Sequence, residues 1–428
     1  MRIFYICLIF ISGNSLALTP KPAPDQSKSV VYHNATIHIG NGKVLNNATI
    51  AFDNGKISRI GHFRMAWQET DIDLKGKHVY PGFILPLTTL GLTEVGSVKA
   101  TLDNTEVGNL NPNVRSIVAY NTDSEIIPTM KFNGVLLAQP TPAGGLVSGL
   151  SSIVQLDAWN WEDAVVSLDD AIHVNWPNSI QPKFDFSTFT MKSEKNKNYE
   201  KQLLEIKSLF NDAKFATNSD QDSNIKLAAI RPIFKHQRKL YLHASSSKSI
   251  IDSINFGQKL GIKNMVLVTG QEIEPVIDFV KYSQVPVIVN GVHLLPKYEH
   301  SSVDSGYTTA VKLHQSGILV ALSYPKSSMS TMNARNLAFS AGTLVSYGLE
   351  KEQALQMITG NAAKILGIDD SYGTLEVGKS ATLIITDGDA LDMRGNIVEE
   401  AYIDGRKLDL DARQQELNQR YSDKYNIN

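Results

Sequence analysis

Cysteine is almost missing. Of 428 residues only Cys7 is one, and it sits inside an apolar run at the N-terminus. Past that run no disulfide is available, so stability must come from packing. Neither charge is in excess, with 41 basic residues against 43 acidic and a formal net charge of −2. That balance gives no electrostatic basis for holding nucleic acid or an anionic membrane. The densest basic run, Lys235-His236-Gln237-Arg238-Lys239, reads as a solvated loop before a strand. Long hydrophobic runs are also missing. The longest near the start, Ile3 to Ile11, is about half of the roughly 20 residues a membrane span needs. The Gly-rich stretch Pro142 to Gly149 lacks the lysine of a phosphate-binding loop. Ser148, Ser151 and Ser152 lie outside any Gly-x-Ser-x-Gly elbow, so a serine hydrolase is unsupported.

What is present begins with an export signal. Arg2 precedes the apolar run, Ser12-Gly13-Asn14 breaks it, and Ser15-Leu16-Ala17 supplies small residues for cleavage after Ala17. The expectation is export to a bacterial periplasm. A Pro-rich linker follows over 18–28. Short alternating segments then run to Tyr80, punctuated by Gly40-Asn41-Gly42 and by Asp53-Asn54-Gly55, a strong hairpin signal. They predict the N-terminal part of a β-sandwich over 29–80. The histidines of this part, His33, His38, His62 and His78, are expected at its surface or in its turns.

From residue 81 to 367 the pattern changes. Apolar runs such as Gly134 to Gln139, Ser152 to Leu156, Leu240 to Ala244, Met265 to Thr269, Val285 to Asn290 and Ile318 to Ser323 alternate with amphipathic stretches. That alternation predicts an α/β fold, a (β/α)8 barrel of the TIM type. Residues 188–224 are polar and read as an exposed helix and loop. A single helix is expected over Glu350 to Leu366, between Gly348 and Gly367. Residues 368–409 return to short strands and predict the C-terminal part of the sandwich, so the barrel is inserted in a composite β domain. Residues 410–428 form a polar tail.

Four stretches carry a family resemblance: Val79 to Ile84, Gly144 to Gly149, Met357 to Gly367 and Gly373 to Ala381. In this order they resemble the amidohydrolase superfamily, in particular its exported imidazolonepropionase-like and dipeptidase-like members. The resemblance implies hydrolysis of C–N bonds in small amides or amino-acid derivatives. It also implies divalent metals at the barrel mouth that lower the pKa of a bound water. The ligands it implies are His-x-His after strand one, a His on each of strands five and six, and an Asp on strand eight.

Here the His-x-His positions fall on Leu87 and Thr89, preceded by Leu85 where an Asp is usual. Strand six ends on Thr269 and strand eight on Tyr324, so no catalytic residue is assigned, Tyr324 standing at the usual Asp position. The C-terminal signature carries Ser380 and Thr382 where acidic residues are common. Only His243 survives as a metal ligand, and one imidazole does not hold a divalent ion. The expected cofactor is therefore none, or zinc if the family chemistry persists.

His173 follows a possible barrel loop and His293 follows strand seven; both could reach the mouth and, with His243, could form a rearranged site. They and the Gly144-Gly145 turn are the ligand-binding candidates. Trp159 and Trp161 read as loop packing, or as the lining of a pocket or subunit contact. Two functional readings follow. One is an exported amidohydrolase with altered ligands. The other is a metal-free pseudoenzyme that binds a small amide or amino-acid derivative, as a homodimer or beside an active paralogue.

Overall fold

The computed structural model describes residues 21–63, 68, 70–216, 224–296, 301–326 and 328–427. The stretch read as a signal peptide lies outside the described residues. Three strands open the fold as an antiparallel meander: β1 (Val30–His38), β2 (Val44–Asp53) and β3 (Lys56–Gly61). The turn between β2 and β3 is Asn54-Gly55, with φ of 48° and 78°, the left-handed pair a two-residue hairpin requires. β4 (Ile72–Asp73) and β5 (His78–Pro81) add to β1 in parallel. Two histidines of this unit are not at its surface. His33 is buried, with Nδ1 3.0 Å from Thr49 Oγ1 and Nε2 3.0 Å from Asp71 Oδ2. His38 is buried against the barrel, with Nδ1 2.7 Å from Glu352 and Nε2 2.9 Å from His78. Each imidazole has a partner on both nitrogens, which is what permits its burial.

Residues 83–323 contribute eight strands to one nearly closed barrel: β6 (Phe83–Thr88), β7 (Val135–Pro140), β8 (Val147–Gln155), β9 (Val165–Asn175), and then, after an excursion, four more. The excursion is a hairpin, β10 (Ile180–Asp185) and β11 (Thr190–Lys195), followed by the helix Tyr199–Phe215. The hairpin corrects the reading of this polar region as helix and loop alone. Its strands alternate charge with residues such as Phe184, and a two-stranded ribbon with no buried face has no apolar run to announce it. The barrel resumes with β12 (Lys239–His243), β13 (Met265–Thr269), β14 (Val287–Asn290) and β15 (Val320–Ser323). Helices such as Ser247–Leu260, with Ser246 in a capping box, pack outside. Among the described residues no helix is long and apolar enough to cross a membrane.

Two features distinguish this barrel. β8 runs antiparallel to both β7 and β9, while the other neighbours are parallel. Between the pairs Ser151–Ala171 and Ile153–Ser167, β9 holds extra residues, and Asp169 takes a left-handed φ of 49°. That is a β-bulge, and it re-aims the residue beside it, Asp170. The second feature is the seam between β15 and β6. Leu322 N–H donates to Met357 O and Ile84 N–H to Ile358 O, at 3.1 and 2.9 Å. Residues 357–358 are therefore spent on sealing the barrel, and the helix expected over 350–366 is two, Lys351–Gln356 and Gly360–Leu366.

β16 (Leu383–Thr386) then pairs antiparallel with β5, Leu383 opposite Pro81, and β17 (Val398–Ile403) and β18 (Arg406–Lys407) follow outward. Both ends of the chain thus build one β domain around Tyr32, Ile50, Phe52, Leu383 and Tyr402. The chain closes with the helix Arg413–Tyr425, which buries nothing.

Candidate functional site

Alternation along the barrel strands decides which residues meet at the axis. Ile84, Leu137, Ala171, Tyr241, Val266, Val268, Ile288 and Ala321 fill the interior. Their continuation at the strand ends places Gln139, His173, His243, Asn290 and Ser323 toward the mouth. Thr269 alternates with Val268 and shares the face of Leu267, which packs in the outer core. Tyr324 likewise follows Ser323 and turns outward, its hydroxyl 2.8 Å from Ser340 Oγ on a surrounding helix. The axis-facing position at the end of strand eight is therefore Ser323, whose hydroxyl donates to Pro86 O across the seam.

Two of the histidines singled out in the sequence do come together. His173 Nδ1 lies 3.0 Å from His243 Nε2, and His173 Nε2 lies 2.9 Å from Ser151 Oγ. Ser151 donates to Asp170 Oδ1 at 2.8 Å, and Gln139 Nε2 donates to Asp170 Oδ2 at 2.8 Å. A carboxylate only accepts, so Ser151 must accept from His173 Nε2–H, and His173 Nδ1 must accept from His243 Nε2–H. The whole chain then points one way, with both imidazoles neutral and the lone pair of His243 left on Nδ1.

Burial, and then the nearby Lys326, hold both imidazoles well below the usual histidine range. Burial raises the Asp170 carboxyl, opposed by the Lys239 ammonium. Lys326 was not singled out in the sequence. From the end of β15 it reaches across the mouth and donates to Pro142 O, 3.2 Å away in the loop after β7. Removal from water brings it down to about 7.

His293 stands apart from this chain. Its Nε2 is 2.8 Å from Thr343 Oγ1 and its ring lies edge-on to Tyr307. With Tyr324 it lines a cavity of about 770 Å³ between the barrel helices and the loop around Asp389. The Gly144-Gly145 turn, with φ of 79° and 62°, is pinned by Asn175, whose Nδ2 donates to Gly145 O at 2.9 Å and to Ser148 Oγ at 2.8 Å. Trp159 is 63% exposed.

Residues 212–411 match the amidohydrolase family. No curated protein matches the chain in sequence. Among solved structures, an amidohydrolase from Thermotoga maritima superposes with a TM-score of 0.74 at 21% identity, covering 88% of this chain and 99% of that one. A prolidase complexed with N-methylphosphonate-L-proline gives 0.55 at 17% identity, over 89% and 99%. A Xaa-Pro dipeptidase with methionine in its active site gives 0.54 at 14%, over 89% and 100%. The chain shares the fold of these amidohydrolases.

An amidohydrolase barrel raises the question of metal, and the donor set can be tested. Leu87 is buried in the apolar interior at a left-handed φ of 56° and offers no lone pair. Thr89 is hydrogen-bonded to Thr331, and Leu85 packs in the outer core. The Nε2 of His243 is occupied by His173, and a lysine ammonium stands beside both rings. Among the described residues no group of three or more His, Cys, Asp or Glu could hold a metal ion. A divalent ion needs about three protein donors and is repelled by a neighbouring ammonium. These residues do not fit the metal centre usual for an amidohydrolase.

The depressed imidazoles fix how stability responds to acid. Below the ordinary histidine pKa of about 6.5, the unfolded chain takes up protons that folded His173 and His243 refuse. Their contribution is whole above about 6.5 and is lost as pH falls toward their folded values; His78 and His293, also depressed, act in the same direction. The urea midpoint is expected to fall steadily between about pH 7 and pH 5, and to fall less in a His173→Gln/His243→Gln double variant. A midpoint as steep in the double variant as in the parent would contradict the assignment to these two rings.

Proposed function

We propose that this chain is an exported amidohydrolase relative, of the imidazolonepropionase-like type, that has left metal-dependent C–N hydrolysis. Its barrel mouth binds a small amide or amino-acid derivative, as a homodimer or beside an active paralogue. The observation that carries the reading is the one-way chain His243–His173–Ser151–Asp170, which occupies the interior where a metal would need free donors. Support for the ligand class comes from the fold's neighbours, one complexed with N-methylphosphonate-L-proline and one with methionine bound. Support for export comes from the Arg2 to Ala17 pattern and from the lack of any cysteine beyond Cys7.

A second reading keeps activity without metal. The lone pair on His243 Nδ1, backed by a chain ending in a carboxylate, has the make-up of a general base.

Elemental analysis of protein purified without chelator tests the first reading. The expected result is far less than one zinc, manganese or iron per chain, before and after incubation with excess zinc. Near-stoichiometric metal that disappears in a His243→Ala variant would overturn it. Turnover of N-acyl amino acids in the presence of EDTA, abolished by the same substitution, would move the assignment to the second reading.

A further inference from the structure

The ribbon of β10 and β11 sorts its side chains by face. Gln181, Lys183 and Asp185 stand opposite Glu194, Lys192 and Thr190, so all six share one side. Phe184 lies on the other. Phe186 and Phe189 bound the turn, and the Phe184 ring packs edge-on to both, with centroids 5.0 and 6.2 Å away. The rest of the fold does not cover this cluster. Phe186 is 79% exposed and Phe189 78%.

The polar side chains around the cluster are already satisfied. Ser187 N–H and Oγ donate to Asp185 Oδ1 at 2.8 and 2.5 Å, and Lys192 donates to Asp185 Oδ2. Thr188 and Thr190 share a hydrogen bond of 2.8 Å, and Lys183 donates to Glu194 at 2.9 Å. Such a tip can leave water without stranding a side-chain donor or a charge, which is the main cost of burying polar groups. The base of the ribbon is fixed. Asn196 Nδ2 donates to Asn178 O at 3.0 Å, and Asn178 Nδ2 donates to Ser245 Oγ at 2.8 Å, just past β12. β9 and β12 end at the barrel mouth, so the ribbon stands on the mouth side.

Size and depth indicate what can cover the cluster. Strands of six residues, at about 3.3 Å per residue and about 5 Å apart, give the ribbon a face on the order of 200 Å². A stable dimer needs about 800 Å² from each partner, so a second copy seated here would be held by too little. Lys183 and Lys192 stand three residues behind Phe186 and Phe189, about 10 Å back. An interfacial apolar surface enters a bilayer by about 5–10 Å, which would leave both ammonium groups among the lipid headgroups.

We propose that the β10–β11 turn docks this protein on a lipid bilayer, with Phe184, Phe186 and Phe189 entering the interface and the barrel mouth held on the membrane side. The drive is apolar, so a chain with a net charge of −2 needs no anionic lipid. No spanning helix is needed either, since the turn lies at the surface of the bilayer. The docking is independent of what the mouth binds.

The test uses the chain as purified, floated with vesicles of phosphatidylcholine and with vesicles that also contain phosphatidylglycerol. Parent and variants share one N-terminus, so the apolar run at residues 3–11 contributes equally to all of them. A Phe186→Ser/Phe189→Ser double variant should partition at least about ten-fold less into both kinds of vesicle. Tyr282→Ser, at an exposed aromatic far along the chain, should partition like the parent. Phe189→Trp keeps an aromatic at the tip. It should keep the binding, and its added emission should shift to the blue when vesicles are present.

No partition of the parent, an unchanged partition in the double variant, or binding only where phosphatidylglycerol is present would overturn the proposal. So would a dimer in lipid-free sedimentation that the double variant separates, which would give the cluster to a second copy. Should the double variant be poorly folded, the Phe189→Trp emission decides, and the absence of a blue shift would sink the proposal.

Discussion

Replacing Asp157 by alanine lowers the stability of the folded chain by about 3–5 kcal/mol. Asp157 is buried and holds two cations at once, Lys131 Nζ at 3.0 Å and Arg406 Nη1 at 2.9 Å. Its Oδ2 also accepts from Ala23 N–H at 2.8 Å, and Arg406 returns bonds to Ala23 O and Asp157 O. One carboxylate thus ties the segment before β1, the helix Ile127–Phe132 ahead of β7, the end of β8 and the last strand of the β domain. Removing it leaves an enclosed ammonium and a guanidinium without their shared anion, and the charge left behind dominates the cost. A total stability of about 5–15 kcal/mol is usual for a folded domain, so the variant loses a large share of it. By contrast Asp392→Ala, which removes the anion from an exposed pair with Arg394, should be silent because water and salt already screen that pair. Urea denaturation of parent and both variants makes the comparison. A loss below about 1 kcal/mol for Asp157→Ala would mean that the two cations find other partners or water.

The framework was legible because it is written in local terms. Asn54-Gly55 can hardly be anything but a hairpin turn, and the apolar runs from Val135 to Ser323 can hardly be anything but interior strands. The end-to-end β domain followed from matching textures at residues 30–61 and 383–407. What escaped depends on tertiary partners. Nothing in Met357-Ile358 says that their carbonyls will serve the seam between β6 and β15, so one helix was expected where two stand. Nothing in Asp169-Asp170 announces a bulge, yet the bulge is what brings Asp170 to Ser151.

At the site, His173 and His243 are both visible in the sequence, and their meeting at 3.0 Å follows from β9 and β12 being neighbours. Counting to strand ends puts Thr269 and Tyr324 at the mouth, and the alternation of Val268 and Ala321 moves both off the axis. Lys326 is missed by a search for metal ligands, yet it carries its own signal. It is a charged residue just beyond a barrel strand, where loops that carry function begin.

Asp170→Asn should reverse the direction of the entire relay. In the parent, every proton position follows from the carboxylate being able only to accept. In the variant Gln139 still presents Nε2, because its Oε1 accepts from Leu87 N–H at 3.4 Å. The carboxamide that replaces the Asp170 carboxylate must then offer its oxygen to Gln139 and its NH2 to Ser151. Ser151, now accepting a hydrogen bond from that NH2, turns its own hydroxyl toward His173 Nε2. That nitrogen becomes an acceptor, so His173 carries its proton on Nδ1 and donates to His243 Nε2. His243 is pushed to the Nδ1–H form, and the lone pair at the mouth is replaced by a donor.

Shape and volume barely change, so Asp170→Asn should fold. Asp170→Ala, which strips the acceptor from both Ser151 and Gln139, should cost about 2–4 kcal/mol. Nitrogen-15 NMR of the imidazoles reads the outcome directly, since protonated and bare ring nitrogens resonate far apart. Both rings should exchange tautomers together in Asp170→Asn and keep them in a Ser148→Ala control. If either ring keeps its parent tautomer, the four groups do not act as one chain. The lone pair offered at His243 Nδ1 would then owe nothing to Asp170.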